Sequence, residues 1–191
     1  MCYIKLNAVL DKKLIDICNE KILEYLLKTK KVCALLEGNL EQKPFENVIK
    51  MAAISVDKNG KEHYHQHRLQ KHILRNFAKA LVRIEDKIKK AKDFEELLEL
   101  VNGKKIYGIG ELAIYDTALR IGEYLGIEPD RIYLHAGTKA GVERLFERMG
   151  SKKQLRNREY IYKKELPEPF CSCRLTPSQL EDLFCEAVKW L

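Results

Sequence analysis

Apolar residues return every three or four positions along most of the chain. Leu10, Leu14 and Ile17 begin the pattern, Ile22, Leu23, Leu26 and Leu27 continue it, and Phe45, Val48, Ile49 and Ala52 resume it after a polar gap. That is the period of an α-helix rather than of a strand, and it predicts an all-α fold. From Gln66 to Ala91 the spacing predicts one long helix. Leu69, Ile73, Phe77, Leu81, Ile84 and Ile88 mark its core face, and Arg68, Lys71, Arg75, Lys79, Arg83 and Lys87 run along the opposite one.

Punctuation residues divide the rest. Pro44 suits a helix start, and Asn59-Gly60 reads as the end of that helix in preference to a hairpin turn. Asp93 is placed to cap the helix FEELLELV, whose Glu95 and Glu96 fall where the helix dipole favours acids, and Asn102-Gly103 ends it. A further helix runs from after Gly110 to Leu125, with Gly126 as its stop. Pro129 opens a short helical turn or an extended piece, GVERLFERMG is helical, and Thr176 with Pro177 starts the last helix. There is no internal repeat. At 191 residues the expectation is one helical domain over 1–191, a bundle with room for two lobes.

Charge sharpens this picture once it is located. The formal net charge is +7, and residues 51–92 hold 11 basic and 4 acidic side chains, so the remainder carries 24 of each and sums to zero. A second excess, 9 basic against 3 acidic, lies at 139–164. Concentrated positive charge points to a polyanionic partner, with a solvated basic face as the plain alternative. No stretch approaches the ~20 apolar residues of a membrane span, and the first residues lack the order of a signal peptide, so a cytoplasmic protein with no membrane partner is expected. The six cysteines match no usual zinc spacing, and most read as reduced core thiols. Cys171-Ser-Cys173 is the one pair that invites a metal or redox reading.

Gly108-Ile109-Gly110 raises the sharpest chemical question. Two glycines one residue apart leave backbone amides open, and a following helix N-terminus adds partial positive charge, a combination that binds phosphate. A dinucleotide-binding loop requires a third glycine at position 113, which is Ala113, and a preceding strand; the nucleotide-hydrolase loop requires Gly-Lys-Ser/Thr. Neither is present. The candidate phosphate-binding residues are Gly108, Ile109 and Gly110, with Lys104 and Lys105 beside them and Arg68, Lys71, Arg75 and Lys79 as a second track along the basic helix face.

The stretch FEELLELVNGKKIYGIGELAIYDTALRIGEYLG, residues 94–126, resembles the helix-hairpin-helix DNA-binding superfamily; with Asp93 it makes a unit over 93–126. The resemblance implies that the hairpin grips a DNA strand through its phosphates without reading bases. IYLHAGTKAG, with His135 nine residues past Gly126, is similar to the segment that follows the hairpin in DNA glycosylases of the endonuclease III type. The likeness covers residues 93–148. Two departures matter. Where bifunctional members carry a catalytic lysine this chain has Leu112, and where they carry the catalytic aspartate it has Tyr133. The family's small residue four positions after the second glycine is replaced by Ile114, with Ala113 one position early. Asp116 and Asp130 are the nearby acids, one inside a predicted helix and the other in a capping position. YDTALRIGEYLG and YLHAGTKAG are also similar to bacterial proteins without an assigned activity.

His63, His65 and His67, with His72 a turn later, would project imidazoles to one side if residues 63–67 were extended, a geometry able to bind zinc. No acid or cysteine completes the set locally, and the expectation is solvated histidines, no metal and no cofactor. The sequence therefore predicts non-sequence-specific DNA binding through the hairpin, with no reaction assigned. A glycosylase-like or metal-dependent DNA-processing enzyme and a protein-interaction domain with a purely structural hairpin are the alternatives.

Overall fold

The computed structural model describes residues 10–36, 44–54 and 69–191. Asn59, Gly60, His63, His65, His67 and Arg68 lie outside the described residues, and so do the predicted helix end and histidine cluster built on them. The described chain is mostly helical: α1 (Lys12–Leu36), α2 (Phe45–Ile54), α3 (Lys71–Val82), α4 (Glu85–Ile88), α5 (Phe94–Asn102), α6 (Glu111–Leu125), α7 (Ala136–Arg148) and α8 (Pro177–Ala187), with two short strands, β1 (Ile132–Tyr133) and β2 (Tyr160–Ile161). No helix among the described residues is long and apolar enough to cross a membrane. The chain forms two compact units, one of Met1–Glu37 with Asp130–Leu191 and the other of Gly38–Pro129.

The first unit is built on α1, α7 and α8. Leu10, two residues before α1, and Leu14, Cys18 and Ile22 within it form a core row at steps of four, whereas Leu23 and Leu27 face solvent. Burial pushes the Cys18 thiol up to about 11, so it stays protonated as an apolar core group. Helices α7 and α8 pack at close range because Gly141 presents no side chain. A Cβ there would stand 2.0 Å from the Phe184 carbonyl oxygen. Thr176 accepts from the Gln179 amide and caps α8, with Pro177 at the first helical position as its sequence suggests.

The piece after Pro129 is extended, not helical. Ile132 pairs with Ile161 and Tyr133 with Tyr160 in an antiparallel ribbon, with both isoleucines fully buried and both tyrosines half-buried. The buried Glu181 carboxylate of α8 accepts the Tyr133 amide at 2.7 Å, which satisfies an edge N–H that would otherwise be lost from water.

In the second unit α2 packs on α3 and α6, and α5 packs on α6. The helix expected from Gln66 to Ala91 is two helices. Ile84 leaves helical geometry at φ −117°, ψ 21°. The acids that interrupt the basic row give the reason: Glu85 and Asp86 occupy the first turn of α4, where the dipole favours them, and Glu85 pairs with Lys89 at 2.6 Å. Ile88 is fully buried after the break, so its place on the apolar face is kept. Asp93 caps α5 by accepting from the Glu96 amide at 2.9 Å.

Replacing Gly141 with alanine forces its methyl group into the α8 backbone, and because backbone cannot rotate away, α7 and α8 must separate. The expected loss is about 3 kcal/mol or more, read as a lower midpoint in urea unfolding followed by circular dichroism; an unchanged midpoint would show that the two helices are not locked at this distance.

Candidate nucleic-acid interface

Helices α5 and α6 are the arms of the hairpin and residues 103–110 its turn. The arms meet through the edge of Phe94 on Tyr115, ring centroids 5.6 Å apart, and through Leu97 beside Gly122. Leu97, Val101, Ala118 and Ile121 are fully buried along this seam. Gly126 takes the left-handed conformation, φ 71°, as α6 ends, and the Ile127 amide donates back to the Gly122 carbonyl at 2.8 Å.

The turn itself is tightly specified. The amides of Gly103, Lys104 and Lys105 donate to Glu99, Val101 and Asn102, closing the end of α5. The Ile109 amide then donates to the Ile106 carbonyl at 3.1 Å, a four-residue turn with Tyr107 and Gly108 at its centre. Gly108 has φ +91°, a value that side chains rarely adopt, and a Cβ there would stand 2.7 Å from Ile73 Cδ1 on α3. The Ile109 side chain is 3% exposed and anchors the turn in the core.

Gly110 plays a different part from Gly108. Its φ is −86°, an ordinary extended value, and a Cβ would meet nothing within 4 Å. It is the N-cap of α6, and having no side chain it makes no side-chain cap. Gly110 thus offers no side-chain acceptor to the first-turn amides of this fifteen-residue helix, and the position its Cβ would occupy is open.

The cations sort into two groups. Lys105 is exposed and Lys104 half-buried, both in the turn. Lys71, Arg75 and Lys79 are exposed on α3. At ~100° per residue, Lys71 and Arg75 stand about 160° and Lys79 about 120° around that helix from Ile73, the residue that meets the hairpin. The basic row thus points away from the flank the hairpin occupies. It forms a second track only as a separate surface, not as a continuation of the glycine turn.

Two residues of the hairpin escaped the sequence reading. Tyr107 is 100% exposed, and Glu111 is an exposed acid in the first turn of α6. A carboxylate there favours the helix and opposes any other anion at the same amides. The signal for both was present: a tyrosine one place before a turn glycine, and an acid directly after the cap.

The positions singled out by the glycosylase resemblance hold no acid or base pair. Leu112 is 44% exposed in α6, and Tyr133 is on β1. Asp116 lies 3.6 Å from Arg120, whose guanidinium also donates to the Ala52 carbonyl; burial lowers the Arg120 pKa, and Asp116 partly offsets this. Asp130 does not cap a helix; it binds Arg131 at 2.7 Å ahead of β1. Among the described residues no three His, Cys, Asp or Glu side chains are grouped to hold a metal ion. His72 is exposed on α3. Of the cysteine pair, Cys171 is pushed up to about 11 by burial and by Glu168, and Cys173 donates to the Phe170 carbonyl. No protein-family model, no curated protein and no solved structure matches this chain.

The two glycines should respond unequally to alanine. Gly108→Ala places a methyl group both at positive φ and on Ile73, and is expected to cost about 1–3 kcal/mol. Gly110→Ala meets neither strain nor a clash and loses only the preference of the N-cap for glycine over alanine, a cost of about 0.5 kcal/mol that lowers the melting temperature by ~2 °C. Equal melting temperatures for the two variants would contradict the geometry of the turn.

Proposed function

We propose that the chain binds DNA without sequence preference, through the phosphate backbone, with the α5–α6 hairpin as the gripping element. The observation that carries this reading is the N-terminus of α6: a long helix whose cap is a glycine with open space before it, in a turn that also carries Lys104 and Lys105. Backbone amides and a helix dipole attract phosphate oxygens and cannot distinguish one base sequence from another. The concentration of positive charge at residues 51–92 supports a polyanionic partner over a neutral one. Lys71, Arg75 and Lys79 supply a second, separate attraction on α3. No reaction is assigned.

Glu111 makes the reading easy to test because it works against it. Removing this acid and adding a cation should tighten binding if phosphate lies on the α6 amides. Gly110→Val is the complementary probe, since the branched side chain fills the space before those amides while the backbone stays at ordinary angles.

Binding to a duplex of arbitrary sequence, followed by fluorescence anisotropy across a salt series, is expected to fall roughly tenfold or more in Gly110→Val, the worth of one charge-assisted hydrogen bond. Lys105→Ala should flatten the slope of log affinity against log salt by about 0.9, and Glu111→Lys should steepen it by a similar amount. Folded Gly110→Val protein with native affinity, together with a Glu111→Lys slope that does not move, would remove the hairpin from the interface and leave a structural turn.

A further inference from the structure

The described part of the chain contains seven tyrosines, and six of them are buried or half-buried: Tyr25, Tyr115, Tyr124, Tyr133, Tyr160 and Tyr162. Tyr107 alone is fully exposed. An aromatic ring left wholly in water loses the burial that normally justifies it, so its position needs a reason.

The turn holds that ring out firmly. Tyr107 is at the corner of the turn closed by the Ile109 amide and the Ile106 carbonyl. On its C-terminal side, Gly108 is pressed against Ile73 and Ile109 is sunk in the core, so the backbone that carries the ring is pinned at both positions that follow. A pinned backbone presents an aromatic face at a small cost in ordering, since only two side-chain torsions remain to be fixed on contact. The surroundings select the partner's chemistry. Lys104 and Lys105 precede the ring and the N-terminus of α6, its positive end partly offset by Glu111, follows it, so an approaching ligand meets positive charge chiefly on the lysine side of an exposed aromatic face. An apolar protein surface gains nothing from that charge. A nucleotide, with a π-face beside a phosphate, matches both.

We propose that Tyr107 stacks on an unpaired base while the neighbouring amides and lysines hold the adjoining phosphate. The ligand class this selects is DNA in which duplex is interrupted by unstacked bases, such as a gap or a single-stranded overhang, over intact duplex. In an intact duplex each base face is covered by its neighbour, and Tyr107 has nothing to stack on without separating a base step. The inference rests on the phosphate-binding reading of the hairpin, and it adds which DNA the hairpin prefers.

The test uses the full chain, with an intact duplex and a duplex of the same sequence carrying a three-nucleotide gap that contains 2-aminopurine. The unmodified protein is expected to bind the gapped DNA about tenfold more tightly, within the range that one base–aromatic stack supplies, and to quench the 2-aminopurine fluorescence. Tyr107→Ala should lose the quenching and bring the two affinities together without weakening binding to intact duplex. Tyr107→Trp should restore both. Because the side chain touches nothing in the protein, unchanged circular dichroism is expected for both variants. Equal affinities in the unmodified protein, or a preference that survives Tyr107→Ala, would overturn the inference while leaving backbone gripping intact. Equal weakening on both DNAs would also overturn it, because it would mean that the ring touches backbone, not a base. Failure of the hairpin reading is separate: it appears as native duplex affinity in Gly110→Val with an unmoved salt slope in Glu111→Lys, whatever Tyr107 does.

Discussion

The hairpin takes its shape from the contact between Gly108 and Ile73. Because Gly108 has no side chain, α3 comes to a distance at which a Cβ would lie 2.7 Å from the Ile73 methyl group, and the positive φ at Gly108 turns the chain so that Ile109 drops into the core. Everything around the turn follows from those two facts. With Ile109 fixed inward, Tyr107 is carried outward on the opposite corner, and Gly110 arrives in an extended conformation suited to starting a helix. One glycine therefore sets the geometry, and the other keeps the space in front of it clear. Their equal spacing in the sequence conceals this division of labour.

Electrostatics in the same few residues pull in two directions. The α6 amides, Lys104 and Lys105 attract an anion, while Glu111 satisfies the helix dipole internally and repels one. An acid at this position stabilises the free helix by ~0.3–1 kcal/mol and reduces what a phosphate gains there. Any anion bound at the hairpin is consequently held against one opposing charge. The exposed cations of α3 lie on a different side of that helix from Ile73 and add attraction without sharing the geometry of the turn. In the proposed reading the hairpin is thus the geometrically defined contact and the α3 row a separate, diffuse one, and neither distinguishes one base sequence from another.

Much of this was legible in the residues. Asp93, Thr176 with Pro177, and Gly126 mark helix ends because caps and left-handed stops depend on local chemistry, and all three stand where their types require. The helical character of the chain followed from its period. What escaped depends on distance in the fold. The break at Ile84 comes without glycine or proline, from acids that favour a new helix start, and an uninterrupted apolar spacing hides it. The ribbon is two residues per strand, too short for any alternation to register, and its partner strand lies 28 positions along the chain. Leu23 and Leu27 carry helical spacing yet face solvent, since several rows on one helix share the same period and only packing chooses among them. At the hairpin, the two glycines look equivalent in sequence because what distinguishes them is Ile73, 35 residues earlier.

The division of the chain adds a constraint on how the hairpin is maintained. Ile73, Leu97, Gly108, Gly110 and Gly122 all belong to the continuous segment Gly38–Pro129, and the core beneath the turn is assembled from α2 to α6 within it. The ribbon, the Glu181 anchor and the close α7–α8 pair belong to the other unit, which the chain begins before that segment and completes after it. The residues that shape the hairpin thus draw their packing from one unbroken stretch of sequence. Ile73 and Gly108 differ in conformational freedom but share a single steric requirement, so substitution at either alters the same turn. A larger side chain at position 73 presses on Gly108 from α3, and a smaller one removes the surface against which the turn is pinned. Position 73 therefore governs the presentation of Tyr107 and Gly110 as directly as the glycines themselves, although the sequence marks it only as one apolar residue on the core face of a helix.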